Sequence, residues 1–378
     1  MEGQRDVAVV LSGGGINGLL LEVGFLKRLQ ESELWPRVGF FFGTSAGAVN
    51  ACMAALDRVD ELEEFILGLR PEDTFRPNRL WRLPLLGSHD YTLPQTIAER
   101  IADPLDLAVQ LAAAEPEVVA VVTDVTAHDD GDDSGPRLFE RAYSSKVDPP
   151  EVMAQAVLAS AAISVLVLPM QVGDRVATDG GWVRNYPLGY AYERPEVALI
   201  VGFRYQGRYP TVGLGPLRHL AARLRRYTRV PAARALVREL EDAAEREARG
   251  HPAHIVDTFS RLSRVAILRN TELEEIVADW REQSMRELRD LRVDVRRLAE
   301  ERGGPELGAE IEDRFDAARF PFRHDRLIPR ITVAGSVGET SLEPGFRKPK
   351  PWTLEAKRAL IDRGYMLTDS QLRVHRHT

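Results

Sequence analysis

The chain has 378 residues, 44% of them apolar and 28% charged, with a formal net charge of -7, the make-up of an ordinary soluble globular protein. That length holds two average domains or one α/β domain with insertions, and the negative balance and lack of an RNA or DNA motif argue against nucleic-acid binding. A single cysteine, Cys52, excludes an intrachain disulfide and any multi-cysteine metal site.

Residues 1–6 lead straight into a strand and lack the apolar core of a signal peptide. The longest apolar segment, Ala156 to Met170, is too short to span a bilayer and contains Ser160 and Ser164. The expectation is a cytoplasmic protein without a transmembrane segment, with peripheral membrane contact as a further reading.

Val7 to Leu11 is a continuous apolar run, as in a parallel strand covered on both faces. It enters Ser12-Gly13-Gly14-Gly15-Ile16-Asn17-Gly18, followed by a helical pattern with Leu19, Val23 and Leu26 on one face. Gly13-x-Gly15-x-x-Gly18 matches the dinucleotide fingerprint, but that reading wants an acidic residue at the end of the next strand. Consecutive glycines equally let bare N–H groups converge on an oxyanion.

The next apolar run, from Val38 to Phe42, breaks at Gly43-Thr44-Ser45-Ala46-Gly47, the G-x-S-x-G pattern of a nucleophile elbow. The chemistry needs a serine on a sharp strand-to-helix turn, with the helix dipole and its free amides aimed at developing negative charge. A serine at an ordinary glycine-rich junction is the plain alternative. Cys52 falls on the helix after Ser45, where buried packing is its expected role.

Between Pro71 and Pro94 too many breakers interrupt Phe75, Leu80, Trp81, Leu83, Leu85, Leu86 and Tyr91 for one long helix. The segment reads as an apolar lid or acyl-chain wall, or as buried connecting structure. Glu117 to Thr123 is a buried strand leading into Asp124 and the acidic loop Asp129-Asp130-Gly131-Asp132-Asp133, whose spacing is not that of an EF-hand and fits a solvated turn.

Met170-Gln171-Val172 and Arg175-Val176-Ala177 read as a hairpin turning at Gly173-Asp174. The chain then reaches Thr178-Asp179-Gly180-Gly181. An aspartate at a strand end, followed by two glycines, can approach a serine closely and take its proton, although Asp-Gly is also a common turn.

After the strand Glu196 to Phe203, residues from about Gly213 to Phe320 are rich in Arg, Glu, Ala and Leu at helical spacing, and several helices are expected before the strand Arg330 to Ala334. Pro216 to Arg238 carries seven arginines and no acid. It reads either as a helix packed on the core with its arginines in water or as one lying on an anionic membrane. Pro351 to Arg373 reads as a terminal helix returning to the sheet.

Gly13 to Gly18, Gly43 to Gly47 and Asp179-Gly180-Gly181 together resemble the three blocks of the patatin-like phospholipases. Ala159-Ser160-Ala161-Ala162 and Asn185-Tyr186-Pro187-Leu188 add to the likeness, which covers about residues 5 to 205. The resemblance implies an α/β fold with a mainly parallel central sheet flanked by helices, and hydrolysis of phospholipids or related acyl esters. It implies Ser45 as nucleophile, Asp179 as its partner in a Ser-Asp dyad, and an oxyanion hole of amides around Gly13, Gly14 and Gly15. Gly18, Gly43, Gly47, Gly180 and Gly181 support these motifs, and neither a metal nor an organic cofactor is implied. Asn17 stands where the family usually carries Arg or Lys, so an arginine restored there is expected to favour anionic lipids.

The expected organisation is a catalytic core over 5–205, a helical insertion packed on it over 206–329, and a last strand and helix over 330–378 completing the same domain. Two other readings stay open. One is a conventional α/β-hydrolase with a Ser-Asp-His triad using His324 or His375, and the other a catalytically silent lipid-binding or interaction protein on the same scaffold.

Overall fold

The computed structural model describes residues 5–78, 89–126, 139–163, 166–206, 222, 225–227, 230–249, 255–318, 327–337, 342 and 352–376. Strand β1 (Val7–Leu11) is buried at every position and runs through the glycine loop into helix α1 (Gly15–Gln30). β2 (Val38–Thr44) and α2 (Ala46–Ala55) meet at Ser45. α3 (Val59–Gly68), the single turn α4 (Pro71–Thr74) and the antiparallel pair β3 (Phe75–Pro77) and β4 (His89–Tyr91) follow. α5 (Leu93–Arg100) and α6 (Pro104–Ala113) lead to β5 (Glu117–Asp124), β6 (Glu140–Ser144) and α7 (Pro150–Ser160). The hairpin of β7 (Met170–Val172) and β8 (Arg175–Asp179) precedes α8 (Gly181–Arg184), α9 (Leu188–Glu193) and β9 (Leu199–Tyr205). α10 (Pro231–Ala248), α11 (Ile255–Gly303) and α12 (Pro305–Ala317) come before β10 (Arg330–Gly335), and α13 (Leu354–Arg376) closes the described chain.

Five strands, in the order β10-β9-β1-β2-β5, pair in parallel. Helices cover both faces of this sheet, which is why β1 and β5 are apolar without alternation. On one face, residues of α1, α2, α3 and α13 share a core with Val9, Phe41 and Val201 of the strands. On the other, Tyr186, Leu188 of α9 and Ala278 of α11 pack on Ala8, Phe42 and Ile200. The architecture is thus a three-layer α/β fold with a mostly parallel sheet.

The pairing around β5 decides where Ser45 and Asp179 meet. β2 pairs with residues 117–121 of β5, β6 with 119–123 and β8 with 122–124. A strand has two hydrogen-bonding edges. β6 overlaps the range of both β2 and β8, so β6 holds one edge of β5 while β2 and β8 share the other. β2 is parallel to β5 and β8 antiparallel, so the two run head to head along that shared edge. They stop opposite adjacent residues, Thr44 at Val121 and Asp179 at Val122.

The junction admits no side chain at the next position. A Cβ on Gly180 would run into the Val121 carbonyl oxygen and come 3.0 Å from Thr44 Cγ2. Polar groups tie the two ends down: Thr44 Oγ1 donates to Arg184 O (2.8 Å), Thr123 Oγ1 donates to Asp179 O (2.7 Å), and Asp179 N–H donates to Ala162 O (3.1 Å).

Of the several helices expected before β10, three are described, α10, α11 and α12, and α11 runs for 49 residues. Its inner side mixes buried Thr271, Ala278 and Met285 with charged side chains that pair across to the sheet. Glu275 pairs with Arg204, Asp279 with Arg330, and Glu282 accepts from Tyr192 Oη at 2.8 Å. β3, β4 and β6, absent from the sequence reading, are short and only partly buried. Several expectations lie outside the described residues: the wall residues Leu80, Trp81, Leu83, Leu85 and Leu86, the acidic loop 129–133, much of the arginine-rich 216–238, and His324. No helix among the described residues is long and apolar enough to cross a membrane.

Gly180→Ala should force β2 and β8 apart. The expected cost is about 2 kcal/mol of unfolding free energy, by the usual penalty for overpacking a closed site. Denaturant titration followed by circular dichroism measures it, and an unchanged midpoint would contradict the head-to-head junction.

Candidate active site

Ser45 occupies the bend between β2 and α2 with φ 55° and ψ -123°. A side chain at positive φ of this kind costs about 1–3 kcal/mol and persists only where its surroundings hold it. Three contacts do so here. The Ser45 N–H donates to Ser160 Oγ (2.8 Å), and the Ser160 hydroxyl donates in turn to Val121 O (2.6 Å). Ala48 N–H donates to Ser45 O at 3.0 Å, closing the first turn of α2. Gly47 lets that turn lie directly on the end of β1, since a Cβ there would come 2.6 Å from the Leu11 carbonyl oxygen.

The head-to-head junction delivers Asp179 to this bend. Ser45 Oγ donates to Asp179 Oδ2 at 2.7 Å, and Gly181 N–H donates to the other oxygen, Oδ1, at 2.7 Å. Both side chains are buried, Ser45 at 6% and Asp179 at 8% exposure. Burial raises the Asp179 carboxyl from 3.8 to about 6, against the lowering pull of the Gly181 amide and the Ser45 hydroxyl. Such a carboxylate is ionised at neutral pH and a better proton acceptor than an exposed aspartate.

The glycine loop completes the geometry. Gly13 abuts the serine, because a Cβ on it would lie 3.2 Å from Ser45 Cβ and collide with Asn185 Oδ1. Its own amide is engaged, donating to Asn185 O at 2.9 Å, while Asn185 Nδ2 donates back to Gly13 O at 3.2 Å. Gly14 and Gly15, by contrast, have no backbone acceptor among the described residues. Gly15 has φ 55° and starts α1, so two helix N-termini, those of α1 and α2, begin around Ser45. Their dipoles favour negative charge there. Gly18 N–H donates to Gly14 O (2.8 Å) inside the first turn of α1, below the Tyr205 ring, and Gly43 lies in β2 beneath the bend.

Ser160 and Asn185 lie in stretches noted in the sequence, but their positioning contacts were not legible there. Asn270 and Thr271 of α11 went unnoticed altogether. Asn270 Oδ1 accepts from Asn185 N–H (3.1 Å) and its Nδ2 donates to Gly181 O (2.8 Å), while Thr271 Oγ1 accepts from Asn185 Nδ2 (3.1 Å). The inserted helix therefore braces the Asp179 turn and the glycine loop together. Polar residues in a charge-rich helical stretch carry no sequence signal for such a role.

Asn17 requires a correction. Its side chain is fully buried, and Oδ1 accepts from the Leu342 amide at 2.9 Å. An arginine at this position would lose that bond and bury a charge, so it cannot serve as a head-group contact added to an otherwise unchanged site. Cys52 is buried as expected, and desolvation pushes its thiol up to about 12. His375 is exposed near the end of α13. Among the described residues no group of His, Cys, Asp and Glu side chains is arranged to hold a metal ion.

Residues 9–192 match the family model described as Patatin-like phospholipase. This stretch is a patatin-like phospholipase domain. It contains the glycine loop, Ser45 and the Asp179 turn. The patatin-like match ends before α11, which supplies Asn270 and Thr271 from outside it. Among solved structures the chain resembles VipD from Legionella pneumophila at 15% identity, over 98% of this chain and 67% of that one, with a TM-score of 0.41. At that score no feature of one chain is carried over to the other. No curated protein sequence matches this chain.

Because the folded state holds the Asp179 proton more tightly than the unfolded chain, stability from this group is full below pH 3.8 and is lost as pH rises to about 6. Above that, the buried charge costs about 3 kcal/mol. Asp179→Asn should therefore raise stability by up to about 3 kcal/mol at pH 8, with the gain vanishing near pH 4. Chemical denaturation of both proteins across this range checks the sign, and a less stable Asn variant at pH 8 would contradict it.

Proposed function

We propose that this chain is a serine lipid acyl hydrolase that cleaves ester bonds of phospholipids or related acyl lipids through a Ser45–Asp179 dyad. The observation that carries the reading is the direct 2.7 Å hydrogen bond from Ser45 Oγ to Asp179 Oδ2. The carboxylate occupies the place at the serine hydroxyl where a triad sets its imidazole, and it is buried and raised toward neutrality.

Ser45 Oγ attacks the ester carbonyl carbon as its proton passes to Asp179. The carbonyl oxygen becomes an oxyanion beside the Gly14, Gly15 and Ala46 amides, where the two helix N-termini stabilise it. Gly13, whose amide is engaged with Asn185, shapes this cradle and donates nothing to it. Collapse of the tetrahedral species expels the alcohol, which takes the proton from Asp179, and leaves an acyl-enzyme. Asp179 then accepts a proton from water, the hydroxide attacks the acyl carbon, and Ser45 leaves with the proton returned to it. No step uses a metal or an organic cofactor. Residues 5–205 carry this machinery, and the inserted helix α11 belongs to it as a brace.

Ser45→Ala and Asp179→Asn should each lower ester kcat/KM by on the order of 10^4-fold with the fold intact, because the nucleophile and its base act as a unit. His375→Ala should leave turnover nearly unchanged. In the unaltered chain kcat/KM should rise with pH through a midpoint near 6, where Asp179 ionises. Hydrolysis of 4-nitrophenyl butyrate by the purified variants measures all three, and retained turnover in a folded Asp179→Asn protein would rule out the dyad.

A further inference from the structure

The proposed reaction draws on the first turns of α1 and α2 and gives no role to an acid buried between the two helices. Glu22 of α1 and Asn50 of α2 are both at 0% exposure, and Asn50 Nδ2 donates to Glu22 Oε2 at 2.8 Å. Asn50 Nδ2 also donates to the Leu19 carbonyl oxygen, at 3.2 Å. That carbonyl can only accept, so it fixes which end of the Asn50 amide is nitrogen. Two oxygens of the pair are left over. Glu22 Oε1 and Asn50 Oδ1 are buried and have no hydrogen-bond partner among the described residues.

An ionised carboxylate and an amide oxygen are both acceptors only, and each buried acceptor without a donor carries the cost of an unmade bond. One proton on Glu22 satisfies both at once. Oε1–H then donates to Asn50 Oδ1 while Oε2 accepts from Nδ2, and acid and amide close a ring of two hydrogen bonds. No cation competes with that arrangement. α2 carries no charged side chain, and its one titratable group, the Cys52 thiol, is pushed up to about 12 by burial. On α3, Asp60 and Glu63 pair with Lys27. On α13, Asp369 pairs with Arg28 and Lys357 donates to carbonyls at the end of α3, while Arg204 of β9 pairs with Glu275. Burial holds the Glu22 carboxyl well above the ordinary carboxylate range, against Asn50 and the Ser12 backbone.

The place of the pair gives it a task. Glu22 and Asn50 join α1 to α2 about two turns below the helix N-termini that flank Ser45. The carboxyl also meets the backbone of Ser12, the residue that leads into the glycine loop and accepts from Tyr205 N–H through its Oγ at 2.8 Å. A carboxylate there would set a negative charge behind the amides that face the oxyanion. A neutral acid makes the same bonds without that charge.

We propose that Glu22 is held as a neutral carboxylic acid, hydrogen-bonded through both oxygens to Asn50, and that this pair is the positioning element that sets the glycine loop against Ser45. The link to turnover rests on the reading of Ser45 as nucleophile. Neither residue touches the ester, and both act through the Gly14 and Gly15 amides.

Three measurements on the full chain test this. The first is infrared difference spectroscopy at about pH 8, where Asp179 is ionised. Subtracting the Glu22→Gln spectrum should leave the carbonyl band of a protonated carboxyl that shifts in heavy water, and Asn50→Ala should move that band to higher frequency as its bonds are lost. The second is kcat and KM for 4-nitrophenyl butyrate. Glu22→Leu should lower kcat at least about tenfold with KM within about threefold, because the oxyanion forms only after the ester is bound. Glu22→Gln, which can make the same two bonds without a charge, should restore kcat to within about threefold of the unaltered chain. The third, hydrogen exchange of the peptide spanning residues 12–18, needs no turnover and should quicken in Glu22→Leu but not in Glu22→Gln. The infrared measurement needs only the Gln variant, so it decides the state of the acid even where Glu22→Leu fails to fold. A missing acid band, or folded Leu and Gln variants that turn over and exchange alike, would overturn the proposal. If the unaltered chain hydrolyses no ester but the band and the exchange pattern are as expected, the pair stands and the reading of Ser45 falls.

Discussion

Two strands that approach each other along one edge of a third bring the serine and the aspartate together. β2 and β8 share an edge of β5 and stop opposite Val121 and Val122, so Gly180 closes on Thr44 and the Ser45 hydroxyl reaches the Asp179 carboxylate. The glycine at 180 is the steric condition for this meeting. Ser160 ties the Ser45 amide to the Val121 carbonyl, the same point of β5 at which β2 ends. Thr123, one residue further on, holds the Asp179 carbonyl. Few degrees of freedom remain between the Ser45 hydroxyl and the Asp179 carboxylate once β5 is in place.

That arrangement works against the stability of the fold in two places. Ser45 sits at positive φ, and Asp179 carries its charge in a buried position that resists it. Both are tolerated because rigid elements surround them: β1 and β2 below, α2 and α7 beside, and α11 across the top. The inserted helix is the least expected of these. Through Asn270, Thr271 and Glu274 it reaches Asn185, Gly181 and Gly189, so the turn that presents Asp179 is fastened from both sides. Strain of this kind, held by packing elsewhere, is a usual condition of reactive groups.

The parts legible in the sequence are those whose physics is local. β1 stands where a continuous apolar run placed it, and the strand from Arg330 begins where expected. The elbow and the Asp-Gly-Gly turn could be named because glycines at close approaches leave a fixed spacing. What escaped depends on contacts far apart in the chain. α11 docks through buried Ala278 and Met285 and through glutamates paired across to Arg204 and Tyr192, so its helical spacing was legible but its single 49-residue length and its polar docking were not. The contact between Asn17 and Leu342 spans most of the chain, and without it Asn17 looked like a lost cation. The engagement of the Gly13 amide likewise depends on Asn185, far away in sequence.

The claim at the centre of this account is that Asp179 alone makes Ser45 nucleophilic. Its most direct measurement is the rate of fluorophosphonate labelling as a function of pH, with the modified peptide mapped by mass spectrometry. The account predicts label on Ser45, a rate that rises through a midpoint near pH 6, and loss of that rise in Asp179→Asn. Labelling of another residue, or a rate on Ser45 that the Asp179→Asn change leaves untouched, would contradict it.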